Sequence, residues 1–175
     1  MDNVIAAFIL VILLMFVGFS IFESILEAQD MYQVSWQEME ERMNDQTHTG
    51  LSMVNAEVKN FGSTVELTLR NEGTTKMADF DQWDLIVHHY STGAIYHIER
   101  LENSDVEPLA GEWFVAGFYL DAAALEDEVY EPGIFNPGEE MLIRFRVNPS
   151  VDTGTSNLAV VATENGLVLP VQFSN

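Results

Sequence analysis

The hydrophobic pattern divides the chain into three stretches. From Asn3 to Phe22 it reads NVIAAFILVILLMFVGFSIF, twenty positions without a charge. A run of about 20 apolar residues can cross a bilayer as a helix, which satisfies its backbone polar groups internally. The next stretch is ESILEAQDMYQVSWQEMEERMND. Here Ile21, Ile25, Ala28, Tyr32, Trp36, Met39 and Met43 recur at steps of three and four, a helical stripe. Glu23, Glu27, Asp30, Glu38, Glu40, Glu41 and Asp45 fall largely on other faces, and apart from Gly18 no Gly or Pro intervenes before Gly50. The pattern predicts one helix from about Asp2 to about Gln46, roughly 65–70 Å long at 1.5 Å per residue. Its first half is apolar all round. Its amphipathic second half is suited to pack on the rest of the chain, through Tyr32 and Trp36, or on other subunits.

From Leu51 the period becomes 2. Ser52–Asn60 and Ser63–Asn71 read as strands joined at Phe61-Gly62, with Val65, Leu67 and Leu69 on one face. Asp84–Tyr90 and Ala94–Arg100 flank Ser91-Thr92-Gly93, a hairpin connection. Glu112–Leu120 is aromatic and β-rich. In Glu140–Asn148, Met141, Ile143, Phe145 and Val147 alternate with Leu142, Arg144 and Arg146. Asn157–Thr163 and Leu167–Phe173 close the chain around the turn dipeptide Asn165-Gly166. Asn103–Gly111 and the acidic Asp121–Gly138 read as surface excursions. Eight short strands with regular turn signals suit an antiparallel β-sandwich of Ig-like kind, or a barrel. The predicted fold class is therefore α+β. Residues 1–48 form the helix, apolar over 1–22 and amphipathic over 23–48, and residues 51–175 form the sandwich, with Trp83, Trp113 and Phe118 in its core.

Charge narrows the function. Within 175 residues, 28 Asp and Glu stand against 7 Lys and Arg, a formal net charge of −21. A nucleic-acid binder needs a basic face, so no nucleic-acid partner is expected. The absence of cysteine excludes disulfides, iron–sulfur clusters and thiol catalysis. The acidity reads first as a solvated outer surface whose repulsion salt would screen. Asp79, Asp81 and Asp84, or Glu126, Asp127 and Glu128, offer close carboxylates to a hard cation, without the EF-hand spacing, so no metal or cofactor is assigned. His88, His89 and His97 fall in one predicted hairpin, where two could meet, but neighbours on a strand point to opposite faces. With no zincin motif, G-x-S-x-G elbow or phosphate loop, no catalytic residue is assigned and an enzyme is not expected.

The N-terminal edge is unusual. An apolar targeting segment ordinarily follows Lys or Arg, yet the first basic residue here is Arg42. A basic leader removed before Met1, a signal anchor with a poor basic region, or a displaced start would each produce this edge.

An apolar N-terminal helix joined directly to a β-sandwich resembles the archaellins, filament subunits of the archaeal motility organelle within the type IV pilin superfamily. The segments NFGSTVELTLRNEGTTKMADFDQWDLIVHH, FNPGEEMLIRFRV and NLAVVATENGLVLPVQF resemble the paired-strand, Asn-Pro-Gly-Glu and terminal Asn-Gly hairpin segments of archaellin and archaellum stator domains. Bacterial type IV pilins typically carry Glu at mature position 5, where this chain has Ile5. No N-glycosylation acceptor is found, since Asn148-Pro149-Ser150 has Pro in the forbidden position.

The resemblance implies a leader cut by a prepilin-type peptidase, a transient stay in the membrane, and assembly by a membrane machine into an extracellular homopolymeric filament rotated for swimming. Its polymerisation core would be Val4, Ile5, Phe8, Ile9, Val11, Ile12, Leu13, Met15, Phe16, Phe19 and Phe22. Lipid tails are as apolar as Leu, so exchanging membrane for bundle gains chiefly packing. The alternatives within the same plan are a membrane-anchored stator or minor pilin-like subunit and an adhesion pilin.

Overall fold

The structure, a computed structural model, describes the backbone from Asp2 to Asn175 and the side chains of all but residues 1–8, 41, 42 and 45. It divides into two compact units, Met1–Asn44 and Asp45–Asn175.

The first unit is a single helix, α1, which runs Asp2–His48 and carries its last turn into the second unit. Its 47 residues make it about 70 Å long, ending two residues beyond the expected Gln46. Strong helix formers recur along its whole length, no proline interrupts it, and the lone interior glycine, Gly18, costs only about 1 kcal/mol against Ala. Every described side chain from Ile9 to Asn44 is exposed. Tyr32 and Trp36 belong to this exposed set, Trp36 at 72%, with no cover from their own unit. A helical stripe encodes that a face is apolar, not what covers it.

The second unit contains β1 (Leu51–Lys59), β2 (Thr64–Asn71), β3 (Asp84–Ser91), β4 (Ile95–Asn103), β5 (Glu112–Asp121), β6 (Glu126–Asp127), β7 (Glu140–Arg146), β8 (Ser156–Ala162) and β9 (Val168–Ser174). Strands β1-β2-β7-β5 form one antiparallel sheet and β4-β3-β8-β9 the other. A short parallel pairing of β4 with β5 joins them at Glu102–Glu112 and Asn103–Trp113. At the opposite edge β1 comes alongside β9. Leaving aside β6, which pairs with β5, this is the strand order of an Ig-type sandwich with one added edge strand.

The period-2 pattern explains which faces meet. Val65, Leu67 and Leu69 of β2 lie beside Met141, Ile143 and Phe145 of β7, each in direct register, and all six are buried. From the second sheet come Leu85 and Val87 of β3, Ala159 and Val161 of β8, and Val171 and Phe173 of β9. Trp113 and Trp83 are buried between the sheets as expected, and Phe118 packs against the core from its margin.

The excursion after β5 departs from expectation. Phe135 is fully buried and bridges Met77 through backbone bonds in both directions, at 2.8 and 3.2 Å. The segment therefore plugs one end of the sandwich. The Asn-Pro-Gly-Glu motif is the clasp: the Glu139 carboxylate accepts from the Asn136 backbone N–H at 2.8 Å. Asn71, also fully buried, donates its amide to the carbonyls of Thr75 and Phe135 and accepts from Gly73 N–H. A local run of acidic residues hid one aromatic anchor.

Candidate functional site

The principal candidate surface is the apolar half of α1. Ile9, Val11, Ile12, Leu13, Met15, Phe16, Phe19 and Phe22 are all exposed on the helix, Phe16 the most at 72%. Val4, Ile5 and Phe8 lie outside the described side chains. Ile9, Ile12, Leu13 and Phe16, spaced three and four apart, line a shallow apolar groove. A second groove holds Ser20, Ser24 and Ala28, one turn apart, between Phe16, Val17, Ile21 and Ile25. Ser24 donates its hydroxyl to the Ser20 carbonyl at 3.0 Å, which returns that polar hydrogen to the helix's own backbone. Small residues at every fourth position let another helix approach closely. This feature was missed in the sequence, although the Ser-x-x-x-Ser-x-x-x-Ala spacing announces it. The segment Ile9–Glu40 contains a stretch long and apolar enough to cross a membrane, with a mean hydropathy of 2.6.

The sandwich distributes its charge unevenly. The outer face of the first sheet carries an ionic network. Arg144 donates through Nε to Glu66 at 2.9 Å and through Nη1 to Glu107 at 2.6 Å. Lys59 bonds the other oxygen of Glu66. Burial alone would raise the Glu66 carboxyl, but the hydrogen bonds from Lys59 and Arg144 outweigh it and hold the group below the usual carboxylate range. Arg70 reaches the buried Glu140 at 2.5 Å, and Lys76 pairs with Glu131. These basic side chains are spent inside the domain, leaving the remaining carboxylates uncompensated.

The outer face of β4-β3-β8-β9 is different. Residues Leu85–Ile98 and Leu167–Asn175 contain no Asp, Glu, Lys or Arg. Register places Tyr96 beside Tyr90, and Ile98 beside His88 and then Leu158. The charges on this face are Asp84 and Arg100, which pair with each other through Arg100 Nε at 2.8 Å, and Glu102, exposed two residues beyond Arg100 on β4.

Asp79, Asp81 and Asp84 do not converge: among the described residues, no three His, Asp or Glu side chains are grouped as metal ligands would be. The histidines do meet. His89 and His97 stack with centroids 5.1 Å apart, while His88, on the opposite face, lies 2.6 Å from the Tyr96 hydroxyl. His89 Nε2 stands 2.9 Å from the Pro149 carbonyl, an acceptor, so Nε2 carries the proton and Nδ1 is left without a partner among the described residues. Burial holds this imidazole below its ordinary value, against smaller upward contributions from Pro149 and Glu99.

No protein-family model matches the chain, and no curated protein matches its sequence. Solved structures do. The archaeal flagellum of Methanospirillum hungatei strain JF1 is similar at a TM-score of 0.57 and 11% identity, over 97% of this chain and 92% of that one. The archaellum periplasmic stator protein FlaG from Sulfolobus acidocaldarius is similar at a TM-score of 0.50 and 17% identity, over 71% of this chain and 99% of that one. This chain therefore has the fold seen in archaellum components.

Proposed function

We propose that this chain is the structural subunit of an archaellum-type filament, held together by its N-terminal helices and rotated for swimming. The observation that carries the reading is the rod of α1, whose described side chains from Ile9 to Phe22 expose an apolar surface with no cover inside its own unit. Such a surface in water is unfavourable by about 25 cal/mol per Å²; a bilayer relieves it before assembly and a bundle of identical helices relieves it afterwards. Grooves at helical spacing, with Ser20, Ser24 and Ala28 allowing close approach, suit the bundle. The similarity to the Methanospirillum hungatei filament supports the reading because it runs through helix and sandwich alike.

The role is mechanical rather than catalytic. Its partners are other copies of the chain, with a prepilin-type peptidase and a membrane assembly and rotation machine acting during biogenesis. Its place is an extracellular filament, reached through the membrane. A second reading, a stator or minor pilin-like subunit kept in the membrane by the same helix, is favoured by the similarity to the stator protein; an adhesion pilin shares the plan. Shearing surface filaments and sequencing the N-terminus of the major band decides among them. The filament reading expects this chain as the dominant band, and its deletion should abolish swimming. Recovery only as a scarce membrane component favours the stator, and loss of attachment with swimming intact favours the pilin.

A further inference from the structure

Among the apolar side chains that the sandwich exposes, which also include Val106, Leu109, Leu125, Val129 and Tyr130 on the acidic excursions, two features lie away from those excursions. One is the uncharged outer face around Tyr90, Tyr96 and Ile98, the last 59% exposed. The other is Phe61 on the β1–β2 turn, 102% exposed. Phe61 is not a loose side chain on a mobile tip. Its backbone is left-handed (φ 56°, ψ 41°), a conformation that costs a bulky L-residue about 1–2 kcal/mol. The turn is fixed from both sides: Val151 N–H donates to the Gly62 carbonyl at 2.9 Å, and the Asn60 amide donates to Thr64 Oγ1 at 3.1 Å. An aromatic ring presented to water on a turn whose backbone is fixed and strained is suited to anchor an interface.

We propose that Phe61 of one copy seats on the Tyr90–Tyr96–Ile98 face of a neighbouring copy, making a head-to-tail contact between sandwiches. The inference rests on the filament reading, which supplies the neighbours. Charge selects the occupant. In a chain of net charge −21, the Tyr90–Tyr96–Ile98 patch itself bears no charge, while the Asp84–Arg100 pair and Glu102 lie toward the other end of the same face, so a second copy's uncharged turn can approach the patch with little like-charge repulsion. A basic partner would gain nothing here and would be drawn to the acidic loops instead. Knob and face lie on different sheets; taken as unreciprocated, the contact leaves each copy with one of each still open. Repetition of such a contact extends a helical array, whereas face-to-face pairing would close a dimer.

The chain has no cysteine, which allows a clean test in assembled filaments. Full-length Phe61→Cys, Ile98→Cys and the double variant are assembled and treated with a short bismaleimide, then run on a denaturing gel. The proposal expects a ladder of multimers from the double variant and monomers from each single variant. It also expects Phe61→Asn, which suits a left-handed backbone, to lower the temperature of filament disassembly by several degrees while the melting temperature of the detergent-solubilised monomer does not fall. Filaments of the double variant that give no ladder, dimers from Ile98→Cys alone, or Phe61→Asn filaments as heat-resistant as the parent would overturn the contact and leave the filament reading standing. Failure of the unmodified chain to form filaments would overturn both.

Discussion

At the scale of single residues, two glycines show how differently the same dihedral can be used. Gly62 and Gly166 both have φ of +87°, which penalises an L-residue by about 1–2 kcal/mol. A Cβ on Gly62 would stand 2.2 Å from the Val151 carbonyl oxygen, while one on Gly166 meets only the end of the Gln46 side chain at 3.8 Å. Gly62→Ala should therefore destabilise the sandwich by about 3 kcal/mol or more, and Gly166→Val by about 1–2 kcal/mol, the smaller side chain doing the greater damage. Thermal unfolding of the two variants in the opposite order would contradict this account of the turns. His89 makes the second case. Its imidazole is kept neutral by burial to a lower pH than the ordinary 6.5, so below 6.5 the unfolded chain binds the extra proton first and stability falls as pH drops; above 6.5 its contribution is intact. His89→Gln retains a donor for Pro149 and removes the titration. The melting temperature of the parent should decline between pH 7.5 and pH 5, and that of the variant should decline less.

The elements divide into those written in local pattern and those written in pairing. The long helix and eight strands follow from periods of 3.6 and 2, down to the inward set of β2 and β7 and the opposite faces of His88 and His89. What links them is not local. Glu66 finds Arg144, 78 residues away, and Met77 finds Phe135 across an acidic stretch that reads as loop, because backbone bridging and end-capping leave no periodic trace. Likewise β6 is two residues long, too short for alternation to register. On α1 the apolar character of the first half was legible, but what covers Tyr32 and Trp36 was not, since cover depends on what lies opposite. Leu13→Asp or Phe16→Asp would place a charge in an apolar bundle at a cost of several kcal/mol. Either variant should leave cells without sheared filaments, with the chain retained in membranes or degraded; filaments of normal yield and length would sink the helix-bundle assignment.

For the whole molecule, electrostatics would set the terms of the proposed assembly. Lys59, Arg70, Lys76, Arg100 and Arg144 are all engaged within the sandwich, so copies in the proposed filament would meet with an excess of carboxylate. The Debye length shortens from about 30 Å at 0.01 M salt to about 10 Å at 0.1 M. Filaments dialysed to low ionic strength should lose subunits at lower temperature than in 0.15 M salt, with millimolar Mg²⁺ or Ca²⁺ restoring them more effectively than equal Na⁺; light scattering during heating measures both. Stability indifferent to salt would mean that the acidic side chains lie too far apart between copies to matter.

The internal commitment of those cations would have a consequence for the proposed polymer. Carboxylates without covalent or ionic tethers would clothe the rod in a swollen, hydrated sheath of mobile counterions. Two such rods lying side by side would have to squeeze those ions out against osmotic pressure, so the filaments should stay apart and glide past one another rather than tangle into bundles.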